Sequence, residues 1–191
     1  SSGGAGRLFT NRLHWDSKSG AHMLDYMVDL FFSFLLNKQG HVLYQNQLIA
    51  DIKPVLDIGS YVVIHPGANN MNKHWDHDSW VDVIHFLNDT NIVVVITGYG
   101  PSDQKLSQAL VNDCPFVKNL VDQLSWVEFV SVIGDAFKVI CVDTVAVHIA
   151  ALTGVQIIGL YSGFYDTSLW RPVGDQSVFL EPISSITSED V

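Results

Sequence analysis

The stretch Val139-Ile140-Cys141-Val142-Asp143-Thr144-Val145-Ala146-Val147-His148 decides the fold. Its first four residues are apolar and mostly β-branched, as a strand covered on both faces requires. Asp143-Thr144 then interrupts the run with side chains suited to the start of a helix, and residues 144–153 carry helical patterning. The same grammar repeats outward in both directions. Apolar runs stand at 61–64, 92–96 and 156–160, with shorter ones at 116–118 and 178–180. Helical segments are predicted between them at 79–88, 103–112 and 125–134. Strand alternating with helix predicts an α/β fold, a doubly wound parallel sheet of the Rossmann-like kind with right-handed crossovers. Ligands in such sheets bind beyond the carboxyl ends of the strands, so chemistry is expected in the loops that follow them.

Upstream the rhythm differs. Met23, Tyr26, Met27, Leu30, Phe31, Phe34 and Leu35 recur at helical spacing and predict an amphipathic helix over 21–37, with Gly40 as its stop. Residues 1–59 therefore read as leader, linker and this helix, and residues 60–191 as the ligand-binding domain. An uncovered apolar face at Phe31, Phe32, Phe34, Leu35 and Leu36 would promote self-association.

Composition narrows the function. The 191 residues carry 10 Lys+Arg against 20 Asp+Glu, a formal net charge of -10, which argues against nucleic acid as a partner. Hydrophobic residues at 48% supply a core and exclude a disordered chain. Cys114 and Cys141 have no metal-type pairing and suit a reducing compartment. No apolar run reaches the roughly 18 residues of a membrane span.

Three loops are candidates for chemistry. In His65-Pro66-Gly67-Ala68-Asn69 through Lys73-His74-Trp75, Gly67 permits close backbone approach and Lys73 offers a cation. The loop reads either as an anion pocket or as a surface turn with a solvated lysine. His74, Asp76, His77 and Asp78 have metal-ligand chemistry without a third ligand at a recognised spacing, and Asp78 or Ser79 suits a helix cap. Thr97-Gly98-Tyr99-Gly100-Pro101-Ser102-Asp103 imitates a dinucleotide fingerprint but puts Asp103 at the third glycine, which disfavours a nicotinamide enzyme. Asp103 reads as a ribose ligand, or else Ser102 or Asp103 is a helix cap. At Asp143-Thr144-Val145, the free amides of a helix start make an anion site, and His148, four residues after Thr144, would share its face. Alternatively, Asp143 is an N-cap and His148 a structural histidine.

Taken together, these loops resemble the C-terminal, donor-binding half of glycosyltransferase family 9, the lipopolysaccharide heptosyltransferases. The family's H-P-G-A…K-x-W is matched by His65-Pro66-Gly67-Ala68 and Lys73-His74-Trp75, and its T-G-G-P-x-E by Thr97 to Asp103 with one extra residue. Its N-L…S-L-x-E corresponds to Asn119-Leu120 and Ser125-Trp126-Val127-Glu128, and its D-[ST]-G-x-x-H to Asp143 through His148. A closing region runs from Tyr161-Ser162-Gly163-Phe164-Tyr165-Asp166 to Trp170-Arg171-Pro172-Val173-Gly174. Val145 stands where the family has glycine, and Asp103 where it has glutamate.

The resemblance implies the C-terminal half of a GT-B type enzyme that moves a sugar, a heptose, from a nucleotide donor such as ADP-heptose to a lipopolysaccharide core acceptor with inversion. Donor contacts are implied for Asn69, Lys73, Asp103, Leu124, Asp143, Thr144, Val145 and His148, with no metal or cofactor required. The catalytic base is expected in an N-terminal acceptor domain, and the location as cytoplasmic, peripheral at the inner face of the inner membrane. A non-catalytic binding or assembly module that keeps this fold is the alternative.

Overall fold

The structure, a computed structural model, describes residues 54–164, 166–167, 171–172 and 177–191. The helix expected over 21–37 and its Phe31 to Leu36 face lie outside the described residues. The sheet belongs to a compact unit formed by Gln45–Tyr165 and Pro172–Val191. A smaller unit takes Ser1–Tyr44 with Asp166–Arg171, of which only Asp166, Thr167 and Arg171 are described.

Six strands, β1 (Tyr61–His65), β2 (Val93–Ile96), β3 (Lys118–Asn119), β4 (Lys138–Val142), β5 (Gln156–Leu160) and β6 (Ser177–Leu180), make one sheet in the order β3-β2-β1-β4-β5-β6. All pairs are parallel, with Val63 facing Val95 on one side and Val139 on the other. The intervening helices are α1 (His77–Asp89), α2 (Pro101–Asp113), α3 (Trp126–Gly134) and α4 (Val145–Thr153).

Alternation along each strand explains why the apolar runs are continuous. Val62, Ile64, Val94, Ile96, Ile140 and Val142 face a layer that includes Trp80, Ile84 and Leu87 of α1 and Leu110 of α2. Val63, Val95, Val139, Cys141 and Ile157 face Val132 and Ile133 of α3 and Ala146, Val147 and Ala150 of α4. Tyr61, in that second layer, donates its hydroxyl to Val132 O at 2.9 Å. Burial, aided by Asp135, pushes its phenol up to about 12.

The strand and helix bounds agree with expectation except at the edges and caps. The strand expected at 116–118 lies at Lys118–Asn119 instead, because Val117 is held in a turn, its N donating to Cys114 O at 3.2 Å, and Phe116 is exposed. The cap of α1 is Asp76, whose Oδ1 accepts from Ser79 N at 2.9 Å, rather than Asp78 or Ser79. Helix α2 starts at Pro101 behind Gly100, whose φ of 91° only glycine adopts readily, so neither Ser102 nor Asp103 caps it.

The order places a topological switch between β1 and β4. From β1 the chain steps to β2 and β3 on one side, then returns to add β4 on the other. The loops that leave the carboxyl ends of β1 and β4 therefore part in opposite directions and open a crevice.

Candidate functional site

A cavity of about 630 Å³ occupies this crevice. Asn69, Lys73, Asp103, Leu124, Asp143, Thr144 and Val145 line it, together with His65, Tyr99, Trp126 and Phe129. Of the residues expected to hold a donor, only His148 is not in the lining; it is exposed on α4. The expectation assumed that Thr144 is helical. Thr144 is instead the extended N-cap of α4, at φ -145° and ψ -175°, so the four-residue spacing does not run along one helical face.

Lys73 ends a 3-10 turn, Met71–Lys73, and the loop around it is pinned at several points. Asn70 caps the turn, accepting from Asn72 N at 3.0 Å. Nε2 of His74 donates to Ala68 O at 2.8 Å, and buried Trp75 donates to Ile186 O at 2.9 Å. His77 pairs with Asp113 at 2.7 Å. His74, Asp76 and His77 are thus engaged with separate partners, and no group of three metal-ligating side chains occurs among the described residues.

The Lys73 ammonium crosses to the β4 loop. Its Nζ lies 2.7 Å from Asp143 Oδ2 and donates to Asp143 O at 3.2 Å, with the two side chains 22% and 10% exposed. Asp143 is therefore not the N-cap that one sequence reading offered. Its carboxylate fixes the one lysine in the lining among the described residues. Next to it, Thr144 makes no side-chain cap bond, and its Oγ1 is buried without a partner. Val145 stands 46% exposed at the cavity wall.

The β2 loop is held by carboxylates. Tyr99 N donates to Asp103 Oδ2 at 2.9 Å, and Gly100 N to Asp122 Oδ1 at 2.7 Å. Asp103 also lies against Gly67, where an added Cβ would fall 2.1 Å from its Oδ1. Gly67→Ala is accordingly expected to swing the Asp103 carboxylate off the Tyr99 amide and cost about 1–3 kcal/mol. Urea denaturation checks this. The double variant with Asp103→Ala should show a much smaller additional loss from the glycine change, and full additivity of the two losses would refute the steric account.

His65 at the end of β1 forms the floor. Its Nδ1 is hydrogen-bonded to Thr97 Oγ1 at 3.0 Å, and its ring lies 5.6 Å from that of Phe129. Burial holds its pKa at about 4 despite the nearby Asp103 carboxylate, so the imidazole is neutral near pH 7. In the sequence His65 is the first residue of the H-P-G-A motif, and its position at a strand's carboxyl end is the signal for a place in the cavity.

Known proteins share both sequence and architecture with this chain. The family model for glycosyltransferase family 9 (heptosyltransferase) matches residues 1–186. Lipopolysaccharide heptosyltransferase 3 of Escherichia coli is 33% identical over 117 residues, covering 59% of this chain and 34% of the relative. The strain K12 protein of that name is 34% identical over 116 residues, 59% of this chain and 33% of its own. The chain thus spans about a third of the length of these curated relatives. An E. coli heptosyltransferase solved with ADP-2-deoxy-2-fluoro heptose superposes with a TM-score of 0.72 at 23% identity, over 96% of this chain and 57% of that one. A family 9 glycosyl transferase from Veillonella parvula gives 0.70 at 16% identity, over 92% and 52%. At those identities the structural likeness speaks for the fold.

Proposed function

The chain belongs to glycosyltransferase family 9, and from that premise we propose that it holds the nucleotide-sugar donor of an inverting glycosyltransferase. The sugar is a heptose, carried on ADP, and the acceptor is a lipopolysaccharide core. In this reading residues 60–191 are the donor-binding, C-terminal half of a GT-B type enzyme, working on the cytoplasmic side at the inner face of the membrane. No helix among the described residues is long and apolar enough to cross a membrane.

One observation carries the proposal. The switch-point cavity gathers Lys73, Asp103, Asp143 and Thr144 from three separate loops, the three that the sequence marked. Breaking the bond to the sugar leaves negative charge on the nucleoside diphosphate, and preorganised donors lower that barrier. Lys73 is preset there by Asp143. The start of α4 adds backbone amides and the positive end of the helix dipole beside Thr144 Oγ1. Asp103 would accept from ribose hydroxyls through the oxygen not bonded to Tyr99, Leu124 would pack near the base, and Asn69 would meet the phosphates from the rim. His148 keeps its place in the motif, outside the cavity lining. A catalytic base is assigned to none of these residues, and no metal is needed for the charge they stabilise.

Calorimetric titration tests the proposal. ADP and ADP-heptose are expected to bind the chain, with UDP weaker. Absence of measurable ADP or ADP-heptose binding would overturn the reading. ADP binding without sugar transfer, in the presence of a lipopolysaccharide core acceptor and the full-length protein, would favour the non-catalytic module, which Val145 in the glycine position also suits.

A further inference from the structure

We infer that Trp126 is the stacking platform for the donor's nucleobase. The inference rests on the nucleotide reading above and adds to it the residue that recognises the base. Trp126 is 61% exposed, so its ring adds little to the core, yet it lines the same cavity as Lys73 and Asp143. Its backbone is held firmly. It is the first residue of α3, directly behind a capping box in which Ser125 N donates to Glu128 Oε2 at 2.7 Å and Glu128 N to Ser125 Oγ at 3.3 Å.

The ring itself is propped from below. Its centroid lies 5.8 Å from that of Phe129 at 49°, and Phe129 in turn lies 5.6 Å from His65 on the cavity floor. A ladder of three rings therefore climbs one wall from the floor to the mouth. Leu124, partly buried, widens that wall as an apolar surface. A sugar rich in hydroxyls would leave its polar groups unpaired there, whereas a flat base loses little by desolvating its faces. The polar groups that suit phosphate and ribose sit on the β1, β2 and β4 loops instead. Tyr99, 84% exposed, lines the cavity on a loop whose flanking amides are tied to Asp103 and Asp122.

The experiment compares ADP, ADP-heptose and inorganic pyrophosphate on the wild-type chain, Trp126→Ala and Trp126→Phe. Trp126→Ala is expected to weaken ADP and ADP-heptose equally, by roughly tenfold or more, and to leave pyrophosphate unchanged. Trp126→Phe should recover most of the affinity while removing the ligand-induced quenching of tryptophan fluorescence. Equal loss for pyrophosphate would show that the alanine merely disturbs α3 and would overturn the inference. Loss confined to ADP-heptose would make Trp126 a sugar platform and overturn it as well. Unchanged ADP affinity in Trp126→Ala, with a wild type that binds, sinks the stacking inference alone. A wild type that binds none of the three ligands sinks it together with the reading beneath it.

Discussion

Lys73→Ala is expected to weaken ADP binding by about a hundredfold. A hydrogen bond between an ammonium and a phosphate is worth about 1.5–3 kcal/mol, which alone gives a factor of roughly ten to a hundred. The structure adds a second contribution. Lys73 neutralises Asp143, whose carboxylate is 2.7 Å away and only 10% exposed. Removing the lysine therefore bares an anion on the wall that receives another anion. Asp143→Asn should behave differently, because it keeps the amide-sized side chain and frees the ammonium. Its ADP affinity is expected to equal or exceed that of the wild type. Lys73→Ala should also lower stability by about 1–3 kcal/mol, less than for a fully buried pair because the lysine side chain is 22% exposed. Calorimetry on the four corners of the double-mutant cycle checks both effects. An alanine variant that binds ADP as tightly as the wild type would mean that the Lys73 ammonium does not face the diphosphate.

Acid is expected to unfold the domain earlier than its carboxylates alone would dictate, and His65 is the reason. In the folded chain its pKa sits at about 4, while an unfolded imidazole titrates near 6.5. Between those values the unfolded state binds a proton that the folded state refuses, so stability falls as pH falls through this window. The effect is negligible at pH 7.5, about 2 kcal/mol at pH 5, and about 3 kcal/mol at pH 4. Capping carboxylates act lower. Glu128, held below its ordinary value of 4.5 by the Ser125 side chain and then by its backbone, loses its contribution only as pH falls below that value. The comparison is urea denaturation of the wild type and His65→Gln at pH 7.5 and pH 5. The glutamine variant should lose clearly less stability across that interval, whatever its starting value. Parallel losses would show that His65 is not held neutral. The same neutrality bears on the proposed binding, since a cavity floor with no positive charge on His65 near pH 7 would leave a diphosphate to Lys73 and the start of α4.

The elements were legible because each depends on local pattern. A strand covered on both faces must be apolar throughout, so Tyr61–His65, Val93–Ile96, Lys138–Val142 and Gln156–Leu160 could be found to within a residue. The site's neighbourhood was legible for a related reason: parallel α/β sheets put their chemistry after strands, and the motif loops stood there. What failed was assignment of partners. The side chains of Asp143 and Asp103 each suit a helix cap as well as a ligand contact, and His148 stands four residues after Thr144. Caps are decided by backbone angles at one residue, and those angles answer to packing rather than to side-chain type. Trp126 stands in the sequence only as a motif position, and Phe129 three residues on reads as core, because an aromatic pair at helical spacing usually means core.

The residue order by itself determined the layered α/β architecture, the direction of its strands and the loops that line the cavity. Tertiary structure alone decided that Lys73 meets Asp143, 70 positions away, and that His65 lies deep enough to stay uncharged. Local patterns carry backbone preference and the apolar face. Coulomb attraction and desolvation depend on distance through space, and that distance exists only after the switch at β1 and β4 has brought the loops together.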